Sequence, residues 1–161
     1  MTARARLRSP VGPLTVEVTD LGLVGISFGG KGAARPPVTA AARTHLEAAR
    51  AALADYFAGR PPALPPLDLR GGDFDRAVWT ALLAIPFGEV RTYGQVAAGL
   101  GRPGAARAVG GAVGRNPVVI LVPCHRVVAA GGRLGGFAGG LERKRRLLAH
   151  EGARAPLLRP D

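Results

Sequence analysis

An α/β fold in two parts is predicted for this chain of 161 residues by three observations. Apolar and polar residues alternate near the start, a helical period of three and four sets in from about Thr39, and a second set of helical segments follows a proline-rich stretch. The first part, residues 1–70, reads as a small mixed sheet and helix domain with its connector. The second, residues 71–161, reads as a winged-helix-like domain with a helix-turn-helix. At 47% hydrophobic residues the chain can bury a core and is not of disordered composition.

The elements follow in order. Leu14-Thr15-Val16-Glu17-Val18 and Leu23-Val24-Gly25-Ile26-Ser27-Phe28 are strand-like, and Asp20 and Gly22 between them suit a hairpin. Arg4, Arg6 and Arg8 before them are expected in a solvated, frayed end. Leu46, Ala49, Leu53 and Phe57 mark one face of a helix from about Thr39 to Phe57, which Gly59 stops. Pro61 to Pro66 form an extended connector. A second helix runs from Asp73, a candidate N-cap, to Ile85, with Phe74 and Trp79 expected in the core. Two short helices, Thr92 to Leu100 and Ala105 to about Arg115, flank a turn at Gly101-Arg102-Pro103-Gly104. Val118 to Val122 reads as a buried strand. A glycine-rich loop follows over 131–140, and a last helix spans Leu141 to Glu151, where Arg143-Lys144-Arg145-Arg146 reads as a solvated face.

Charge narrows the partner. Twenty-two basic residues against eleven acidic ones give +11, a balance that favours a polyanion, with nucleic acid the first candidate. The excess is +7 after residue 70 (thirteen basic, six acidic) and +4 before it (nine basic, five acidic). One cysteine excludes an internal disulfide framework and a multi-cysteine zinc site, and three scattered histidines (His45, His125, His150) suggest neither metal nor cofactor. The start lacks the apolar stretch of a signal peptide and no run is long enough to span a bilayer. A soluble, cytoplasmic protein without membrane partners is expected.

The second short helix is unusual in what it lacks. At about 100° per residue, Ala105, Ala106, Ala112 and Val113 fall within about 60° of Val109. Arg107, Gly111 and Gly114 lie opposite, with the small Ala108 and Gly110 at the flanks. A major-groove reader carries Asn, Gln, Arg or Ser toward base edges. Small residues with a single Arg suit close approach in the minor groove, Arg107 serving as wedge or filler. A glycine- and alanine-rich helix buried at an internal contact fits the same pattern.

An isolated cysteine is usually a small buried hydrophobe. Cys124 instead ends an apolar run, precedes His125 and Arg126, and leads into a loop able to shape a pocket. A thiolate nucleophile needs a base or positive charge nearby. On an extended chain adjacent side chains point apart, so His125 would need a turn or a bridging water to act on the sulfur. Glu151 or His150 could orient it.

Pro123-Cys124-His125-Arg126-Val127 resembles the active-site signature of the O6-alkylguanine-DNA alkyltransferases. The likeness continues in order and spacing through Phe87-Gly88-Glu89-Val90-Arg91-Thr92-Tyr93, Ala105-Ala106-Arg107-Ala108-Val109-Gly110-Gly111, Asn116-Pro117 and Leu147-Leu148-Ala149-His150-Glu151-Gly152. It is dense over residues 73–152 and loose over the first 70, where Ser9-Pro10-Val11-Gly12-Pro13-Leu14 suits bacterial members.

The resemblance implies binding of double-stranded DNA in the minor groove, flipping of an O6-alkylated guanine, and transfer of the alkyl group to Cys124. His125 would deprotonate Cys124 through a water, with Glu151 polarising His125. Tyr93 would crowd a phosphate and donate a proton toward guanine N3, and Arg107 would fill the vacated stack. Gly94, Arg102, Ala105, Ala106, Ala108, Gly111 and Ala130 align with DNA-contacting positions. Asn116, Pro123, Leu134, Phe137, Ala138 and Gly139 align with the substrate pocket, Asn116 also linking the recognition helix to the active-site strand. Phe137 stands where many relatives carry Tyr and Ala138 brings no hydroxyl, which leaves the alkyl range open, as is action on O4-alkylthymine. With no second cysteine to take the group onward, the reaction would be stoichiometric, by a monomer for which cooperative clustering on DNA is left open. The rivals are a non-catalytic alkylation-damage binder, a winged-helix transcription regulator and a thiol hydrolase. Each lacks support in the motifs.

Overall fold

The computed structural model describes residues 2–30 and 32–153. The chain divides into two compact units, Met1–Arg70 with Pro117–Leu121, and Gly71–Asn116 with Val122–Asp161. Residues 154–161, which the sequence reading assigns to the second domain, lie outside the described part.

The first unit holds a three-stranded antiparallel sheet in the order β1-β2-β3, with β1 at Ala3–Leu7, β2 at Leu14–Val18 and β3 at Leu23–Phe28. β2 and β3 are the strands expected from alternation. β1 was expected to fray, and the structure corrects this: Arg4 pairs with Glu17 in register, and its Nη2 lies 3.2 Å from Glu17 Oε2. The alternation of Ala3, Ala5 and Leu7 with arginines is too weakly apolar to announce a strand; pairing to β2 supplies what local propensity lacks.

In the β2–β3 turn Thr19 N–H donates to Gly22 O (2.9 Å). Gly22 has φ +156, and a Cβ there would meet Pro66 O at 2.3 Å, because the proline-rich connector runs along β3. Leu23 N–H donates to Pro66 O and Asp68 N–H to Leu23 O, both at 2.8 Å.

The helix α1 spans Ala40–Phe57; Thr39 caps it by accepting from Ala42 N–H (3.1 Å). Its buried stripe is Ala42, Leu46, Ala49, Ala52, Leu53 and Tyr56. Gly59, at φ +80, directly follows the cap residue Ala58, and the helix ends there as expected.

The second unit opens with α2, Asp73–Leu82. Its N-cap is Gly72 rather than the expected Asp73; Asp73 and Asp75 lie in the first turn, where carboxylates oppose the positive end of the helix dipole. The helix stops short of the expected Ile85 because the bonds from Leu83, Ala84 and Ile85 tighten to the third residue back. Val78, Trp79 and Leu82 are buried. Phe74 is only half-buried and carries the Arg102 guanidinium 5.5 Å above its ring.

The strand β4, Arg91–Thr92, runs directly into α3, Tyr93–Gly99, whose capping box joins Thr92 and Gln95 reciprocally. A turn with Gly101 at φ +75 leads to α4, Ala106–Gly114. Val109, Ala112 and Val113 are its buried face, while Arg107, Ala108, Gly111 and Gly114 are exposed, which is the phase read from the sequence. Trp79 Nε1–H donates to Ala112 O (2.8 Å), tying α2 to α4. The short strand β5, Val127–Val128, pairs in parallel with β4, and α5 spans Leu141–His150. No helix among the described residues is long and apolar enough to cross a membrane.

The expected strand Val118 to Val122 is not one. Its residues are buried, but only Val118 bridges β3, at Ile26. Ile120 takes φ +74, and the chain turns tightly through Leu121 N–H to Val119 O (2.9 Å). A short apolar run does not by itself distinguish a buried strand from a buried turn. A β-branched residue in the left-handed region costs about 1–3 kcal/mol, and its surroundings must hold it there.

Candidate active site and nucleic-acid interface

The site is assembled where the chain returns to the second unit at Val122. Asn116 directly follows the end residue of α4, Arg115. Its Nδ2–H donates to Val122 O at 2.8 Å, so one amide clasps both ends of the 117–121 excursion. Arg115 is itself fixed to α2 by two bonds to Asp75, at 2.9 and 2.8 Å. Pro123 then leads into a single 3-10 turn, Cys124–Arg126. The backbone at Cys124 is therefore turned, not the extended chain end expected, and His125 and Arg126 both bend inward. Cys124, His125 and Arg126 are all buried.

The helix α5 supplies the counter-charge. Glu151 is its C-terminal cap residue and is buried with four donors around it. Oε1 accepts from Arg126 Nε (2.7 Å) and Gly88 N–H (3.2 Å), and Oε2 from His125 Nε2 (2.5 Å) and Arg126 Nη2 (3.2 Å). A carboxylate has about four lone-pair sites, and here all are used. Arg126 also donates to Ile85 O (2.6 Å) and lies over the Phe87 ring. His150, the other orienting candidate, is exposed and meets Phe87 edge-on, so it is Glu151 that holds His125.

With its Nε2–H directed at a carboxylate, His125 presents Nδ1 as its basic nitrogen. Burial, partly opposed by Glu151, pushes the His125 pKa below its ordinary 6.5, so the ring is neutral near pH 7. Burial likewise pushes the Cys124 thiol above its ordinary 9.0. A hydrogen bond from Asn116 and the charge of Lys144 act the other way on the thiol. The resting sulfur is thus a protonated thiol beside a neutral, carboxylate-backed base.

Lys144 corrects the expectation of a solvated 143–146 face. It is wholly buried, and its Nζ donates to the carbonyls of Val127 (2.7 Å), Leu134 and Gly136 (3.2 Å), using all three protons. Leu141, Lys144, Leu147 and Leu148 share one helix face, so the spacing carried the signal although the residue type argued against it. Arg145 and Arg146 do lie outward, paired with Glu142.

The 127–140 loop is shaped around Tyr93. The β4–β5 pairing sets Thr92 beside Val128, so Tyr93 stands next to the start of the loop. A Cβ at Gly110 would meet the Tyr93 ring at 3.8 Å, and one at Gly135 would meet Tyr93 Oη at 2.9 Å. Gly110, Gly135, Arg126 and Lys144 enter the sequence reading only in passing, and none of them is given a place in the site there. Tyr93 and Arg107 line one open concavity of about 540 Å³ with Thr92, Gly94, Ala106, Gly110, Ala129 and Ala130. Cys124 is not part of its wall. Ala105 is half-buried and Arg102 exposed. Leu134 is wholly buried in a cluster with Val128, Leu148 and Ala153, whereas Phe137 and Gly139 are half-buried and Ala138 exposed. Among the described residues no group of His, Cys, Asp and Glu could hold a metal ion.

Two helices about a short turn, joined to a buried Cys–His–Glu array, define a helix-turn-helix module with a buried cysteine built into it. The comparisons agree on which one. A family model described as the DNA-binding domain of 6-O-methylguanine DNA methyltransferase matches residues 73–153. A methylated-DNA–protein-cysteine methyltransferase of Mycobacterium bovis is 58% identical over 102 residues, covering 63% of this chain and 62% of that protein. One from Methanosarcina acetivorans is 41% identical over 155 residues, 92% of this chain and 97% of that protein. The crystal structure of Mycobacterium tuberculosis OGT in complex with DNA superposes with a TM-score of 0.81 at 43% identity, covering 95% of this chain and 96% of that one. The chain belongs to the O6-methylguanine-DNA methyltransferase family.

Proposed function

We propose that this protein repairs DNA by direct reversal, moving the alkyl group of an O6-alkylguanine in double-stranded DNA irreversibly onto its own Cys124. The observation that carries this reading is the buried His125–Glu151 pair at 2.5 Å, which gives a neutral base next to the thiol. Family membership supports the same chemistry.

In this scheme His125 Nδ1 takes the Cys124 proton through a water, and Glu151 stabilises the imidazolium that forms. The thiolate attacks the alkyl carbon. The carbon–O6 bond breaks, its electron pair goes to guanine, and Tyr93 donates a proton toward N3. A guanine anion leaves poorly, so that proton lowers the barrier. The product thioether has no easy leaving path, and no second cysteine can accept the group. One protein therefore performs one repair.

Duplex binding falls to the face of α3 and α4 around the concavity. Gly94, Ala105, Ala106, Ala108, Gly111 and Ala130 give close approach, Arg102 meets backbone, and Arg107 fills the vacated stack. Pro123, Phe137, Ala138 and Gly139, on the support of Asn116 and Leu134, surround the flipped base. The surrounding module is read as winged-helix-like, and the protein as a monomer acting in the cytoplasm.

The test is intact-protein mass spectrometry with peptide mapping after mixing with duplex DNA carrying one O6-methylguanine. One methyl mass on Cys124, saturating at one per molecule, is expected. Lesion binding without modification would instead establish a damage sensor. Arg107→Ala should impair duplex repair far more than reaction with free O6-benzylguanine; equal losses would remove its role as a filler.

A further inference from the structure

The described arginines of the second unit are almost all engaged. Arg76, Arg91, Arg115, Arg126, Arg145 and Arg146 pair with carboxylates, Arg102 covers the Phe74 ring, and Arg143 donates to Gly139 O. Among the described arginines of the second unit, the two whose guanidinium makes no hydrogen bond, ion pair or ring contact are Arg107 and Arg133. Arg107 lines the concave face. Arg133 was not singled out by any motif.

Its placement follows from the backbone. Ala129 and Ala130 form part of the wall of the concavity. A 3-10 turn at Ala130–Gly132, with Gly131 at φ +77, then reverses the chain. Ala129 N–H donates to Arg133 O at 2.9 Å, which closes the turn and holds Arg133 directly beside the wall residue. The side chain is exposed. An arginine matches phosphate oxygens in a fork of two donors, and an unpaired one gives up no internal contact when it binds.

We propose that Arg133 is a second phosphate-binding cation of the DNA interface, gripping the backbone of the duplex whose stack Arg107 enters. The inference rests on the DNA reading of the concave face. Arg133 acts as a positioning residue: it holds the register of the duplex against the 129–133 turn and reads no base. Its loss should weaken lesion-bearing and undamaged duplexes alike.

The experiment is fluorescence anisotropy of a labelled duplex, with and without O6-methylguanine, titrated with the full chain over a series of salt concentrations. For Arg133→Ala, one phosphate contact fewer predicts a salt slope shallower by about 0.9 and an affinity roughly fivefold lower near 0.15 M salt. Arg133→Lys should recover most of the loss. Arg146→Ala, which removes an exposed arginine already paired with Glu142, should bind as the parent does. If the unaltered chain shows no salt-dependent duplex binding, the DNA reading falls and this inference with it. If the unaltered chain binds and Arg133→Ala matches it in affinity and slope, the inference about Arg133 falls alone. An equal loss in Arg146→Ala would also overturn it, because the effect would then be net charge.

Discussion

Arg126 and Glu151, twenty-five residues apart in the chain, form a two-point ion pair inside the protein: Nε to Oε1 at 2.7 Å and Nη2 to Oε2 at 3.2 Å. His125 shares Oε2 at 2.5 Å. Arg126 therefore sets a guanidinium against the same carboxylate that holds His125. The sequence motif names Cys124 and His125, but this pair sets the electrostatics around the imidazole.

Removing one partner of such a pair leaves a buried charge uncompensated. Arg126→Leu should lower stability by about 3–5 kcal/mol, measured as a shift in denaturant midpoint at constant slope. The double variant Arg126→Leu with Glu151→Leu should recover part of that loss. A double variant as unstable as the sum of the singles would show that the two groups do not compensate each other.

The two perturbed groups frame a pH window for stability. His125 has its folded pKa lowered, so below its ordinary 6.5 the unfolded chain binds the proton the native state refuses, and stability falls as pH falls. Cys124 has its folded pKa raised, so above its ordinary 9.0 the unfolded chain releases a proton that the native state keeps, and stability falls as pH rises. A plateau between these limits is expected in denaturant melts. Cys124→Ser should flatten the alkaline decline, and an unchanged decline would assign it to other groups.

Lys144 holds three loop carbonyls from inside the fold. Lys144→Met keeps the length of the side chain but leaves those acceptors without their donor, at a cost of about 3 kcal/mol or more. Because the Lys144 charge also favours the Cys124 thiolate, the thiol pKa should rise further, read from thiolate ultraviolet absorbance against pH. A stable variant with an unchanged thiol titration would contradict both roles.

Gly135 sits at φ +72, and a Cβ there would meet Tyr93 Oη at 2.9 Å. Gly135→Ala should displace the Tyr93 ring and slow duplex repair by an order of magnitude or more, with a smaller loss in reaction with free O6-benzylguanine, where no nucleotide must be rotated. Equal rates in duplex repair would mean that the loop gives way without moving Tyr93.

Much of this protein was legible in the chain itself. Helical spacing marked α1 and the buried face of α4, because a period of 3.6 needs only local order to place Leu46, Leu53, Val109 and Val113 inside. Alternation marked β2 and β3. Cys124, His125, Glu151, Asn116 and Tyr93 were named from motifs, since chemistry limits which residue types can serve. Local patterns misplaced β1, the Val118 to Val122 run and Lys144, and each for the same reason: their state depends on a partner far along the chain. β1 is ordered by β2, Ile120 is held at positive φ by its surroundings, and the Lys144 ammonium is admitted to the interior by carbonyls of the 127–136 segment.

By itself the sequence determined which side chains were the candidates and which faces would be apolar, because both are properties of residue type and local period. Only the tertiary structure decided that Glu151 rather than His150 backs His125, that Arg126 and Lys144 are interior cations, and that Arg107 and Arg133 alone among the described arginines of the second unit are left unpaired. Burial and pairing of charge depend on distances through space, and a charge is stable inside a protein only where the fold has brought its partners to hydrogen-bonding range.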